Sequence, residues 1–474
     1  MSKDLLKGST NKALLSMSVP ISIGMLSTIL FQVIDTYFVG QLGAEPLAAL
    51  SFASTVYFLL VGLFIGFSVA VSIMVAKAFG AKEIDKLKQI LGLSLLISGL
   101  ITVFLSWLGI ISISSVFGFL GADEQTLPHV AAYMSILYLG MPLLAYGIIG
   151  GGALRATGNV KSPEVVFGLA GIINALLDYA FIFGVGPFPQ LGIQGVALGT
   201  LISWIFIFLA MTVLLLRDKL LILPHFRSLV HELPIFKEIS RLGLPSIATQ
   251  LVGPATLMFI TYILGKEGGA AVAAFGVAGR IETLMLIGVM GVSTAATPFI
   301  AQNLGAKKHL RIDEAIVFGG KASVYLGIFL FFFLIALAGP IAGMFSEDPL
   351  IISYTQKYFY LVAISYVFYS LYLISSSIFN GLQLAVNSLK IILVKSFLFT
   401  LPLVLIGSFW GVEGIFAGLS VSNVLGGLYA GKELRKQLKK VNSPLSQRNP
   451  WQDYKSDLNS LVKGLLSLLG KLKT

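Results

Sequence analysis

The stretch FQVIDTYFVG, residues 31–40, ends the first long apolar segment of the chain and places Asp35 within it. A second acid, Asp178, lies inside a later apolar run, GIINALLDYAFIFG at residues 171–184. A carboxylate is costly inside hydrocarbon unless it faces protein, water or a partner group. Most other acids lie near the ends of apolar runs, so Asp35 and Asp178 are the first candidates for a functional role.

The composition of the chain is typical of a membrane protein. Of its 474 residues, 56% are hydrophobic and 12% are charged, and the mean hydropathy is +0.90. A soluble domain carries a charged fraction of about 25%. The apolar runs reach the ~20 residues that a helix needs to cross a bilayer, and they are continuous rather than alternating as in a β-barrel. We therefore predict an all-α polytopic membrane protein.

The apolar runs predict about twelve transmembrane helices, because backbone polar groups cannot face lipid unless a helix satisfies them. The predicted spans are residues 12–39, 46–77, 88–117, 128–154, 162–185, 191–216, 239–264, 270–302, 313–343, 350–380, 386–409 and 412–434.

The chain contains an internal repeat. Pro20 recurs as Pro245, and the Gly-Ala-Lys tripeptide at 80–82 recurs at 305–307 with the same separation, called here the repeat offset. Each half holds six predicted spans, an even number, so both halves insert with the same orientation. This is the parallel arrangement of two-lobed transporters with a central cavity. We predict two pseudo-symmetric six-helix lobes.

The repeat and the loop composition divide the chain into four parts. Residues 1–216 form the first lobe, residues 217–238 a cytoplasmic linker and residues 239–440 the second lobe. Residues 441–474 begin as a linker and end in a stripe of leucines at helical spacing with interspersed lysines. This pattern predicts an amphipathic helix on the inner leaflet; a disordered tail is the alternative.

The charged loops predict the orientation of the protein. The net charge is +11, and the basic residues concentrate in alternate loops such as 77–88 and 307–311. The positive-inside rule then places both termini in the cytoplasm and the protein in the cytoplasmic (inner) membrane. Because the basic residues follow this topology, we do not interpret them as a nucleic-acid surface.

The sequence lacks the motifs of the common enzyme classes. It has no cysteine, its four histidines are scattered in loops, and it contains no Walker A motif, HExxH motif or nucleophile elbow. We therefore expect no cofactor, no metal cluster and no enzymatic activity. The energy for a transport cycle would come from an acid that binds a proton or Na⁺ rather than from ATP.

Asp35 and Asp178 have no acidic counterparts in the second half. The repeat offset places Ile260 at the position that matches Asp35 and Leu403 at the position that matches Asp178. A slightly shorter offset relates GIQG at 192–195 to GVEG at 411–414, and with this offset Phe397 matches Asp178. The second lobe builds the same helices without these acids, so the fold does not require them. We predict that they bind the coupling proton or cation; a structural pair of hydrogen-bonded carboxyls is the alternative.

Several polar residues are candidates to accompany the two acids. Asn174 precedes Asp178 by four residues on the same helix face, and its amide could donate to the carboxylate. In the second lobe, Glu282 could pair across helices or face the cavity, and Lys395 could either face the cavity or extend to the membrane interface. Possible cavity-lining residues are Gln32, Thr36, Tyr37, Thr200 and Arg280.

These motifs together resemble a known family over residues 14–436. The run from Pro20 to DTYFVG at 35–40, the Gly-Ala-Lys at 80–82 and the segment from Arg280 to QNLGAK at 302–307 look like the multidrug and toxic compound extrusion (MATE) transporters. Members of the NorM-type branch carry acids in the second-lobe cavity. Span seven of this chain has no acid, so the sequence resembles instead the DNA-damage-inducible F (DinF) type branch, with its acids in the first lobe.

The resemblance implies a proton-coupled antiporter that exports cationic or amphipathic drugs by alternating access. It also implies that the first helix bends at a proline matching Pro20 when the first-lobe acids are protonated. Coupling to Na⁺ bound by Asp35 and Asp178 is an alternative, because carboxylate, amide and hydroxyl oxygens suit a hard cation. A flippase for lipid-linked oligosaccharides is a further alternative within the same superfamily. We expect small-molecule drugs or toxic organic cations and the lipid bilayer as partners, and a monomer.

Overall fold

The computed structural model describes residues 5–221, 229–440 and 445, and these ranges are almost entirely helical. Short 3-10 turns at Ala363–Ser365 and Ser408–Trp410 and a π-helical turn at Val394–Thr400 connect neighbouring helices. The α-helices are α1 (Thr10–Gly40), α2 (Ala44–Gly80), α3 (Ile84–Phe119), α4 (Thr126–Ala156), α5 (Lys161–Phe183), α6 (Ile193–Arg217), α7 (Leu229–Glu267), α8 (Gly269–Gly305), α9 (His309–Phe345), α10 (Pro349–Val362), α11 (Tyr366–Gly381), α12 (Ala385–Leu393), α13 (Leu401–Gly407) and α14 (Gly411–Lys440).

Eleven helical segments of the described ranges are long and apolar enough to cross a membrane. The last of them, Ala385–Lys440, has 56 residues, and at 1.5 Å per residue it would be about 84 Å long, far more than a bilayer. It turns back at Gly411, whose φ of 67° is readily adopted by glycine, and α14 packs along α13. This segment therefore supplies two spans, and the predicted all-α polytopic fold is confirmed.

The structure differs from the prediction between the lobes. Helix α7 begins at Leu229 rather than near residue 239, so part of the predicted linker 217–238 continues the helix. Residues 222–228 of that linker lie outside the described residues, as does the predicted amphipathic helix of the tail at 455–473.

Two hydrophobic cores divide the described part of the chain into two lobes. One core, called here the first-lobe core, is built mainly from α2, α3, α4 and α6 and includes Ile73 and Met134. The other, called the second-lobe core, is built mainly from α8 to α14 and includes Phe299 and Phe379. Burial of these side chains is the main favourable contribution to packing within each lobe.

Helices α1 and α7 each belong to both cores. Leu14 and Met17, near the start of α1, are buried in the second-lobe core, whereas Val39, near its end, is buried in the first-lobe core. Helix α7 shows the inverse pattern, with Leu242 in the first-lobe core and Leu264 in the second. Each lobe therefore receives the first part of a helix whose second part belongs to the other lobe.

The internal repeat is visible in the hydrogen bonds of the two lobes. Ser68 Oγ of α2 donates to the carbonyl oxygen of Ile148 at 2.9 Å. Ser293 Oγ of α8 donates to the carbonyl oxygen of Leu373 at 3.1 Å. The repeat offset relates the two donors and also the two acceptors, so the same contact between helices is formed once in each lobe.

The lobes meet where α2 and α8 end. A Cβ atom placed on Gly80 would overlap the carbonyl of Gln302. Reciprocally, a Cβ atom placed on Gly305 would overlap the carbonyl of Lys77. The repeat offset relates the two contacts, which shows that a pseudo-two-fold axis passes between them. Small residues allow the two backbones to approach this closely.

The contacts between the lobes are looser towards the starts of α2 and α8. Gly66 and Gly291, in the second halves of α2 and α8, still lie against Ile247 and Ser22 of the other lobe. Nearer the starts of α2 and α8 the contacts of the glycines are looser: a Cβ atom placed on Gly62 would lie 3.9 Å from Gln250 and Leu251, and one on Gly276 or Gly279 would have nothing within 4 Å. We call this end of the lobes the open end. Glycines at the open end whose added Cβ atom would have nothing within 4 Å are Gly40, Gly43, Gly265, Gly268 and Gly269.

Filling the space at the closed end should weaken the contact between the lobes. We expect Gly80→Leu and Gly305→Leu each to cost about 1–3 kcal/mol of stability, as is usual for overpacking, and to reduce transport. Melting of the purified protein in detergent tests this, with Gly40→Leu and Gly265→Leu as matched controls at the open end. If all four variants lost the same amount of stability, the close packing of the lobes at Gly80 and Gly305 would be contradicted.

Candidate functional site

The structure brings Asp35 of α1 and Asp178 of α5 together. Their carboxyl groups lie within hydrogen-bonding distance of each other; Asp178 is fully buried and Asp35 is half-buried. Asp35 Oδ1 and Asp178 Oδ2 are buried without a hydrogen-bond partner. Two ionised carboxylates can only accept hydrogen bonds, so this arrangement is satisfied when a proton or another cation lies between them.

Asn174 and Thr200 also lie at this site. Asn174 Nδ2 is 3.2 Å from Asp178 Oδ1 and 3.3 Å from Thr200 Oγ1, and it can donate to both. Thr200 Oγ1 in turn donates to the carbonyl oxygen of Val196 at 3.0 Å. The amide of Asn174 therefore connects the carboxyl group on α5 with the hydroxyl group on α6, and both groups offer oxygen atoms to a bound cation.

Two glycines allow the three helices to approach one another. A Cβ atom placed on Gly199 of α6 would lie 2.5 Å from Asp178 Oδ1. On α5, a Cβ atom at Gly171 would overlap the ring of Phe31 on α1. Each glycine thus removes the side chain that would keep a neighbouring helix away from the acids.

Two tyrosines complete the surroundings of the acids, and sequence reasoning did not identify them. The phenol groups of Tyr57 and Tyr133 interact electrostatically with Asp35, and that of Tyr133 also with Asp178. The ring of Tyr57 stacks on Trp204, with 6.2 Å between centroids and 9° between planes. The acids therefore lie in a mixed polar and aromatic environment.

The other predicted cavity residues form no hydrogen bond with either acid. Gln32, Thr36 and Tyr37 are exposed, and Thr36 Oγ1 donates to the carbonyl oxygen of Gln32 at 2.8 Å, a bond within the helix. Arg280 is also exposed. The predicted hinge residue Pro20 lies inside α1, which is helical on both sides of it.

The second lobe carries different groups at the equivalent positions. Ile260, the counterpart of Asp35, is buried in the second-lobe core. Glu282, which accepts a hydrogen bond from the hydroxyl of Tyr358, is related to Tyr57 by the repeat offset. The same offset relates Tyr358 to Tyr133. This correspondence is the signal that could have identified Tyr57 and Tyr133 from the sequence.

Two six-span lobes, a shared closed end and charged groups inside each lobe define a multi-pass membrane transporter. The family model described as MatE matches the chain twice, over residues 20–180 and 245–406. The chain belongs to the multidrug and toxic compound extrusion (MATE) family, whose members are transporters and not enzymes.

Relatives named for different substrates match the chain over most of its length. The "FAD transporter" of Shewanella oneidensis is 35% identical over 431 residues, covering 90% of this chain and 94% of that protein. The "Probable multidrug resistance protein YoeA" of Bacillus subtilis is 29% identical, covering 70% of this chain and 72% of that protein. The crystal structure of the Vibrio cholerae MATE transporter VcmN in the bent form has a TM-score of 0.86 at 26% identity, covering 91% of this chain and 98% of that one.

Proposed function

We propose that this protein is a secondary active exporter that exchanges amphipathic or cationic compounds for protons by alternating access. The main support for the proposal is the pair formed by Asp35 and Asp178, in which Asp35 Oδ1 and Asp178 Oδ2 are buried without a partner. Nothing in the fold requires these acids, because the second lobe builds the equivalent helices without them. A group that gains and loses a proton explains why the costly pair is present.

The coupling step would act through α1. This helix carries Asp35 in the first lobe and packs with Leu14 and Met17 in the second-lobe core. Proton uptake removes the repulsion between the two acids, which changes how tightly the end of α1 binds to α5. Because Pro20 leaves one backbone carbonyl of α1 without its helical donor, we propose that α1 bends there and expels the substrate.

A proton fits the acid pair better than Na⁺ does, although both are compatible with its oxygen atoms. Two carboxyl groups within hydrogen-bonding distance share a proton directly. Na⁺ at this site would be bound by Asp35, Asp178 and the hydroxyl of Thr200, with Asn174 turned so that its amide oxygen faces the ion. In the described structure the amide nitrogen of Asn174 faces Asp178.

We further propose that the protein lies in the cytoplasmic membrane as a monomer with both termini in the cytoplasm. This orientation rests on the alternating charge of the loops. The first-lobe acid pair and the lack of an acid in the predicted seventh span also support a place in the DinF-type branch of the family.

Transport by the purified protein in vesicles tests the exchange. Vesicles loaded with ethidium are given either a proton gradient or a Na⁺ gradient of equal size, and efflux is followed by fluorescence. We expect efflux with the proton gradient, its loss when an ionophore collapses that gradient, and no efflux with Na⁺ alone. Efflux driven by Na⁺ at constant pH would instead assign Na⁺ as the coupling ion.

A further inference from the structure

A lysine of the second lobe lies in a distorted part of the predicted eleventh span of the chain. Lys395 belongs to the π-helical turn Val394–Thr400, and Thr400 Oγ1 donates to its carbonyl oxygen at 2.9 Å. Pro402 follows two residues after the turn and has no N–H group to continue the regular helix. Such π-helical turns are rare, and they occur frequently at functional sites.

The side chain of Lys395 is directed into the lobe. Its ammonium group lies 5.1 Å from the ring centroid of Tyr369 and 5.3 Å from that of Tyr372. The two rings are 5.9 Å apart and close to parallel, at 18°. A Cβ atom placed on Gly426 of α14 would lie 2.8 Å from Lys395 Cγ, so this glycine makes room for the stem of the lysine. The contacts exclude an extended side chain at the membrane interface.

Glu282 balances the charge of Lys395 without forming a close ion pair with it. Among the described residues, no carboxylate lies within 4.0 Å of the ammonium group, and Glu282 acts on it at longer range. The carboxylate of Glu282 instead accepts a hydrogen bond from the phenol of Tyr358. Lys395 therefore keeps N–H donors available for an anion.

The partial exposure of this cluster fits the wall of an internal opening of the second lobe. Tyr369, Lys395 and Glu282 retain solvent-accessible surface, yet protein atoms surround all three densely. Side chains that combine these two properties line an internal opening rather than the outer surface. Glu282 also stands at the repeat position of Tyr57, which lines the acid site of the first lobe.

We propose that Lys395 and Tyr369 form a subsite for an anionic aromatic solute, in which the ammonium group binds a phosphate or carboxylate and Tyr369, stacked on the buried Tyr372, contacts the ring system. The ammonium group already occupies the place over the tyrosine rings where an organic cation would bind, so this subsite suits the anionic members among the amphipathic compounds. This inference rests on the proposed role as an exporter and specifies a class of substrate for it.

Flavin mononucleotide and riboflavin are a suitable pair of probes, because they share the ring system and differ in the phosphate. Binding to the purified full-length protein is measured by flavin fluorescence without any ion gradient. Lys395→Met removes the charge at similar volume, and we expect it to weaken flavin mononucleotide binding at least ~10-fold. Riboflavin binding should change little, and Lys395→Arg should retain the preference for the phosphate.

Lys390→Met is the matched control on the same span. Lys390 is half exposed and lies 3.6 Å from Glu433, and its replacement should leave the binding of both flavins unchanged. Binding of an aromatic carboxylate without phosphate, such as fluorescein, tests whether the subsite accepts a carboxylate as well as a phosphate. We expect fluorescein binding to depend on Lys395. The subsite would be overturned if the unmodified protein did not bind flavin mononucleotide. It would also be overturned if Lys395→Met bound flavin mononucleotide as tightly as the unmodified protein does.

Failure of the proposed exchange would look different. If the unmodified protein binds flavin mononucleotide in a Lys395-dependent manner but no gradient drives export, the subsite stands and the coupling mechanism is wrong.

Discussion

Asp35→Asn and Asp178→Asn are each expected to reduce proton-driven export to the background of empty vesicles. Asparagine has the size and polarity of a protonated aspartic acid but cannot release a proton. The variants should therefore fold and insert normally, yet remain in the protonated-like state and fail to cycle. Because each acid is the partner of the other across α1 and α5, loss of either one should be sufficient.

Efflux and proton uptake measured in reconstituted vesicles test this expectation. Asp123→Asn is a suitable control, since Asp123 lies in the loop after α3, where its carboxylate accepts from the backbone N–H of Thr126 at 2.7 Å; it should transport normally. An added acid at Ile260 or Leu403 should not restore export to either variant, because it would lie in the other lobe. Coupled export by both asparagine variants at the unmodified rate would show that the acids are structural.

Arg155→Ala is expected to destabilise the first lobe by about 3–5 kcal/mol, the cost of leaving a buried charge unpaired. Arg155 Nη1 lies 2.9 Å from Glu164 Oε1, and the two side chains are only 19% and 12% exposed. The carboxyl of Glu164 is also pressed against α1, where a Cβ atom at Gly24 would overlap it. Without Arg155, the charge of Glu164 would face this helix uncompensated.

Thermal unfolding in detergent measures the effect. The double variant Arg155→Ala with Glu164→Gln should be more stable than Arg155→Ala alone, because the second change removes the unpaired charge. Lys86→Ala breaks an exposed pair with Glu83, in which N and O are 3.4 Å apart, and should cost less than ~1 kcal/mol. If Arg155→Ala unfolds like Lys86→Ala, the buried pair does not stabilise the lobe.

The overall fold and part of the site could be predicted from the sequence because they depend on local patterns. The length of the apolar runs predicted the spans, and the constant repeat offset predicted the two lobes. Asn174 and Asp178 are four residues apart, and this spacing predicted that they share a helix face. The hydrogen bond between their side chains agrees with that prediction. Each of these features is set within one helix or by comparing two segments.

Features that depend on which helices are neighbours could not be predicted. Tyr57 and Tyr133 interact electrostatically with the acids from α2 and α4, and no spacing within α1 or α5 indicates those helices. Tyr37 was expected near Asp35 but is 65% exposed, because two residues in a helix are turned about 200° from each other. The entry of α1 into the second-lobe core depends likewise on packing between distant segments.

The exchange of α1 and α7 between the cores has a consequence for the ancestry of the chain. A single ancestral half with this packing would have left its first helix without a complete core. Two copies could have completed each other's cores by exchanging their first helices, as the protomers of a domain-swapped dimer do. Duplication and fusion would then have joined a swapped pair into one polypeptide, after which the copies were free to acquire different charges. On this view residues 1–221 and 229–474, produced as separate chains, should be unstable alone and should recover a folded transporter when expressed together.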